Sequence, residues 1–231
     1  MHEINKTIAT IREHITAICK RIGRDAGSVE IIAVTKTKPA TCITTAVEAG
    51  IGTIGENRVQ EAELKRKVAG QNASWHLIGH LQSNKVKKAV QLFDCIQSVD
   101  SIHLAEKLDR ECKKAGKVLP ILLQVNTSGE ESKFGISPDG ALQLAKLISG
   151  GCSSLIVNGL MTIGAYSQDK EEVRKGFKQL RLIAEQIAQA QLSNITMKHL
   201  SMGMSGDYEI AIEEGATMIR LGSILFGSRR P

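Results

Sequence analysis

Residues 30–36 read E-I-I-A-V-T-K and residues 119–125 read L-P-I-L-L-Q-V. Both runs are short and aliphatic at odd and even positions alike, the pattern of a strand covered on both faces and so of a parallel sheet flanked by helices. Upstream of the first run, Ile4, Ile8, Ile11, Ile15, Ile18 and Ile22 recur at spacings of four and three and predict a long amphipathic helix ending before Gly23. Downstream, Pro39 opens a helix and Gly50 closes it. A strand at 53–55, a helix at 57–69, a strand at 74–78 and a helix capped by Ser83 follow. A strand at 93–97 then leads into a helix running from a Ser101 cap to Gly116. After the run at 119–125, Ser137 and Pro138 start another helix. Strands at 155–161 and 197–200 flank a long helix carrying Val173, Phe177, Leu180, Ile183 and Ile187, and 217–221 is the last strand.

Eight strands, each but the last followed by a clear helix and undivided by any linker or composition shift, predict an α/β fold: a single TIM-type (β/α)8 barrel with an extra N-terminal helix, one domain over residues 1–231. A doubly wound open sheet uses the same alternation, but no G-x-G-x-x-G turn follows the first strand.

Composition narrows the function classes. With 42% hydrophobic and 23% charged residues the chain is neither disordered nor fibrous. No apolar stretch approaches the ~18 residues of a membrane helix and no signal peptide opens the chain, so a cytoplasmic protein without membrane contact is expected. Cys19, Cys42, Cys95, Cys112 and Cys152 are scattered, which indicates neither disulfides nor a metal centre. His76 and His80 fall on a strand end and its loop, not on one helix face as a zinc pair would. A net charge of +6 favours anionic partners, yet 3% aromatics leave little for stacking nucleic-acid bases. The runs N-K-V-K-K at 84–88 and Arg229-Arg230 read as solvated charge.

In a closed barrel the first strand lies beside the last, and ligands collect at the carboxyl ends of the strands. Lys36 reads as the last residue of strand 1, on the face of Ile32 and Val34. Arg220 shares a face with Met218 and Gly222, so if both sets point inward the two cations meet at the mouth. A desolvated lysine beside another cation is the kind of amine that condenses with an aldehyde. Two glycine-bearing turns, residues 201–207 (S-M-G-M-S-G-D) and 222–227 (G-S-I-L-F-G), stand where barrels often bind phosphate, with Ser205 or Asp207 available to cap a helix. Asp207, Glu209, Glu213 and Glu214 read as helix-surface charges. An amine nucleophile, a phosphate cradle and an arginine together suggest pyridoxal 5′-phosphate.

Ile31–Pro39 (I-I-A-V-T-K-T-K-P), Gly55–Glu61 (G-E-N-R-V-Q-E), Trp75–Lys85 (W-H-L-I-G-H-L-Q-S-N-K), Glu131-Ser132-Lys133 with Gly135, Gly159-Leu160-Met161, and the tail from Leu200 to Arg229 resemble, in order, the pyridoxal phosphate homeostasis proteins. The resemblance implies a barrel similar to the cofactor-binding domain of alanine racemase, with pyridoxal phosphate held as a Schiff base on Lys36. It puts Ser201, Gly222 and Ser223 at phosphate-binding positions and Asn57 and Met204 near the ring. Arg220 stands at the pyridine nitrogen or at the phosphate. Racemisation needs a second acid/base group on the far face of the substrate, which alanine racemase takes from a separate domain. The tyrosines here are Tyr166 and Tyr208, and the sequence read as far as Pro231 predicts no such domain. A monomeric carrier or buffer of the cofactor, making transient contact with apo-enzymes that use it and with no catalytic residue, is therefore expected over a racemase or a Schiff-base lyase.

Overall fold

The computed structural model describes residues 2–69, 72–130 and 132–227, so Glu131 and Arg229-Arg230 lie outside the described residues. Its elements alternate as expected: α1 (His2–Arg21), β1 (Glu30–Val34), α2 (Thr41–Glu48), β2 (Thr53–Glu56), α3 (Val59–Ala69), β3 (Ser74–Leu77), α4 (Val86–Leu92), β4 (Cys95–Val99), α5 (Ile102–Lys114), β5 (Leu119–Gln124), α6 (Ala141–Gly151), β6 (Leu155–Met161), α7 (Lys170–Gln189), β7 (Ile195–Ser201), α8 (Tyr208–Glu213), β8 (Met218–Leu221) and α9 (Ser223–Phe226). The eight strands pair in chain order into a closed parallel barrel, and β1 meets β8 in the register Ile32↔Arg220.

Side-chain parity then builds two cores. Ala33, Ile219 and Leu221 point outward into the shell between sheet and helices, with Trp75, Phe93, Phe177 and Leu180. Ile32, Cys95, Leu122, Met161 and Met218 point inward and fill the lumen. The inward parity expected for strands 1 and 8 is therefore observed. Ile8, Ile11, Ile15 and Ile18 of α1 are buried against the barrel's outside, where α1 packs on α8 and α9, whereas Ile22 lies past the helix end and is exposed. Glu213 and Glu214 do more than decorate a surface: they bridge Arg174 and Arg181 of α7, and Glu213 also pairs with Arg21 of α1.

Several boundaries differ from expectation for local reasons. Strand 1 stops at Val34, because Lys38 N–H donates to Thr35 O at 3.0 Å and closes a turn, so Lys36 stands beyond the strand. Phe93 does not begin β4; its N–H donates to Ala89 O and completes α4. Ser83 and Pro138 open single 3-10 turns ahead of α4 and α6, and Ser83 caps neither. Pro39 precedes α2, which starts at Thr41. The Ser101 cap is observed, its side chain accepting from Leu104 N–H at 3.3 Å. A short helix, α9, also follows β8 where none was clear.

Candidate functional site

At the carboxyl end of the barrel, across the β1/β8 seam, lies a cavity of about 490 Å³, the size that holds a cofactor-sized ligand. Its wall brings together Lys36, Asn57, Met204, Arg220, Gly222 and Ser223. Six of the seven residues expected at the site thus share one cavity. Ser201 does not line it; this fully buried residue lies behind Arg220.

Arg220 is the floor of the site. One terminal nitrogen of its guanidinium donates to both the carbonyl and the hydroxyl of Ser201 at 2.7 Å, and the other donates to Thr162 O at 2.6 Å. Burial pulls its pKa down to about 10, opposed by the charge of Asp207, so the group is a cation at neutral pH. A guanidinium only donates, and this fixes the direction of every hydrogen bond behind it. Ser201 Oγ accepts from Arg220 and so spends its own proton on Gln97 Oε1, 2.7 Å away. Gln97 Nε2 then faces His76 Nδ1 at 2.8 Å, which must accept. His76 is therefore neutral, and its burial pushes its pKa down to about 4. His76 is the buried end of a chain that leads to the arginine.

The two glycine turns form the upper wall, where Ser205, Gly206, Gly222 and Ser223 line the cavity. The first can fold this way because Gly203 takes φ 90°, and a Cβ there would sit 2.5 Å from that of Ala211. Neither expected capping side chain caps α8 by hydrogen bond. The Asp207 carboxylate accepts from Met204 N–H within its own loop, and Ser205 Oγ accepts from Ile224 N–H at 3.3 Å, which ties one turn to the other. Burial raises the pKa of Asp207, so it is no solvated surface charge. Lys38 Nζ adds a clasp at the seam, donating to Phe226 O at 2.8 Å.

On the opposite wall stands Asn57, whose Oδ1 is buried and has no protein partner. Gly79 lets the next strand end press against it, since a Cβ there would come within 2.4 Å of Asn57 O. Tyr166 reaches the rim fully exposed, whereas the Tyr208 hydroxyl lies outside the barrel at 3.2 Å from His14 Nδ1. Among the described residues no group of three or more His, Cys, Asp or Glu side chains is placed to hold a metal, and no helix is long and apolar enough to cross a membrane.

Sequence reasoning missed one constellation. Lys65 of α3, a buried lysine, donates to Glu56 Oε1 and Glu61 Oε1 at 2.7 Å each and to Thr35 O at 2.5 Å. The signal was present: Lys65 continues the buried stripe Val59, Ala62, with a glutamate four residues before it.

Comparison with known proteins bears on this geometry. Residues 7–230 match the family described as the alanine racemase N-terminal domain. The chain is 37% identical over 224 residues to the pyridoxal phosphate homeostasis protein of Aquifex aeolicus, covering 96% of this chain and 97% of that one. It is 38% identical over 229 residues to the Haemophilus influenzae protein of the same name, covering 98% and 96%. The chain belongs to the pyridoxal phosphate homeostasis protein family. A solved structure of PipY from Synechococcus elongatus, described with PLP bound, superposes with a TM-score of 0.84 at 37% identity, covering 97% of this chain and 100% of that one. Membership in this family, which the motifs from Ile31 onward predicted, comes with the closed eight-stranded barrel that the strand count predicted and with the alanine racemase likeness that the resemblance implied.

Proposed function

We propose that this barrel binds pyridoxal 5′-phosphate at its mouth and carries it as a Schiff base on Lys36, acting as a store or donor of the cofactor. The observation that carries the reading is the single cavity lined by Lys36, Asn57, Met204, Arg220, Gly222 and Ser223. Support comes from relatives named pyridoxal phosphate homeostasis proteins and from the PipY structure described with PLP bound. The residues fit the group. Gly222 and Ser223, with Ser205 and Gly206 across from them, offer small side chains and backbone to a phosphate. Arg220, held low in the lumen by Ser201 and Thr162, would meet the pyridine nitrogen, and Ser201 would serve the cofactor through that arginine. Asn57 and Met204, which line the same cavity, would border the ring. When bound, the cofactor would supply an aldehyde carbon to the Lys36 amine.

Carriage is favoured over turnover by the fate of the two tyrosines. An acid/base group needs a fixed position and a tuned pKa. Tyr166 is fully exposed at the rim, so no packing orients it, and Tyr208 is engaged outside the barrel. An arginine at the ring nitrogen also keeps that nitrogen unprotonated, which weakens the cofactor as an electron sink. The protein acts in the cytoplasm as a monomer and hands its cargo to apo-enzymes by transient contact.

The test is borohydride reduction of the loaded protein followed by peptide mass analysis. A mass increase on the peptide containing Lys36, absent in Lys36→Ala, is expected; a label elsewhere refutes the attachment. Incubation of loaded protein with amino acids of both hands is expected to give no racemised, deaminated or decarboxylated product, and sustained turnover refutes the carrier role.

A further inference from the structure

We infer that Glu61, together with Lys65 and Glu56, is a positioning device that aims Lys36 into the cavity. The inference rests on the attachment reading above and deepens it. Lys36 lies in a turn beyond β1, and both of its neighbours are pinned from α3 and β2. On one side, Thr35 Oγ1 donates to Glu56 Oε1 at 2.6 Å and Thr35 O accepts from Lys65 Nζ. On the other, Thr37 N–H donates to Glu61 Oε1 at 2.6 Å. The same Lys65 ammonium joins the two carboxylates, so the clamp is one connected unit astride residue 36.

Two further observations point to positioning. Thr37 takes φ 62°, a conformation that a β-branched residue holds only when its surroundings over-determine it. Glu56 is wholly buried and its Oε2 has no protein partner, an arrangement that stability alone does not reward. Burial raises the pKa of Glu56, and the bonds from Lys65 and Thr35 oppose that rise.

The test uses Glu61→Ala and Glu61→Gln, because Glu61 is only half-buried and glutamine retains an oxygen to accept from Thr37. Glu63→Ala is the control, since it removes a different ion pair, to Lys88, from the same helix. In Glu61→Ala the rate of imine formation with pyridoxal 5′-phosphate is expected to fall about tenfold, the order that small misplacement of a reacting group costs. Pyridoxine 5′-phosphate has an alcohol in place of the aldehyde, and its Kd should stay within twofold. In the unloaded protein the Thr37 amide should lose hydrogen-exchange protection. Glu61→Gln should restore both rate and protection, and Glu63→Ala should change neither. A native rate in Glu61→Ala despite a deprotected Thr37 amide, or a parallel loss of pyridoxine 5′-phosphate affinity, overturns the inference. If the wild-type protein takes up no borohydride label at Lys36, it is instead the attachment reading that has failed.

Discussion

The barrel lumen holds two layers built by the same rule with opposite materials. Along β4, Cys95 and Gln97 point inward, and along β8, Met218 and Arg220 do; in each pair the apolar member comes first and the polar one stands two residues nearer the mouth. Below, Ile32, Cys95, Leu122, Met161 and Met218 make a dry plug. Above, His76, Gln97, Ser201 and Arg220 make a hydrogen-bonded chain whose polarity runs outward from the guanidinium. The lesson is a division of labour. The plug stabilises the barrel by excluding water, while the chain fixes one cation and keeps one histidine neutral beneath the ligand.

That contrast can be broken by mutation. Leu122→Ala in the plug should lower unfolding stability by about 3 kcal/mol in urea titration while pyridoxal 5′-phosphate affinity stays within twofold. An affinity loss as large as the stability loss would mean that the layers are not separable. Acid should attack the upper layer through His76. Its folded-state pKa, about 4, lies below the ordinary 6.5, so between those values the unfolded chain binds the extra proton. Stability is full above pH 6.5 and falls as pH drops toward 4, by about 2 kcal/mol between pH 7 and pH 5. Glu56 and Asp207, with raised pKa values, act in the opposite sense, so the histidine contribution is read as the difference between wild type and His76→Gln. If both lose stability equally in acid, the neutral-histidine assignment is wrong.

Smaller effects sharpen the comparison. Gln97→Leu strands His76 Nδ1 and releases Ser201 Oγ, and should cost about 1–2 kcal/mol with a larger proportional loss of cofactor affinity. Calorimetry of unfolding and binding on one sample checks the ratio. Ser101→Ala, outside both layers at the start of α5, should cost about 1 kcal/mol in urea titration and leave affinity untouched.

The barrel and the meeting of Lys36 and Arg220 at its seam were legible in the sequence because both depend on periodicity, whereas Asn57 and Met204 were legible only through the family resemblance. Alternation by two puts Ile32 and Met218 inside and Ala33 and Ile219 outside, and the β/α count then dictates closure and the seam. Spacing could not show that Lys36 leaves the strand. That depends on a turn closed by Thr35 and Lys38 and pinned by side chains from another element. Nor could it distinguish Ser201 lining the cavity from Ser201 supporting Arg220, since both roles use the same inward face. Asp207 and Ser205 misled for a related reason: a residue suited to capping also suits a loop clasp, and only packing decides between them.

The seam between β1 and β8 joins residues 30–34 to residues 218–221. A ribosome therefore delivers Lys36 well before Arg220. Throughout that interval Lys36 stands without the Arg220 side of the cavity, which is assembled only when residues 218–221 pair with residues 30–33.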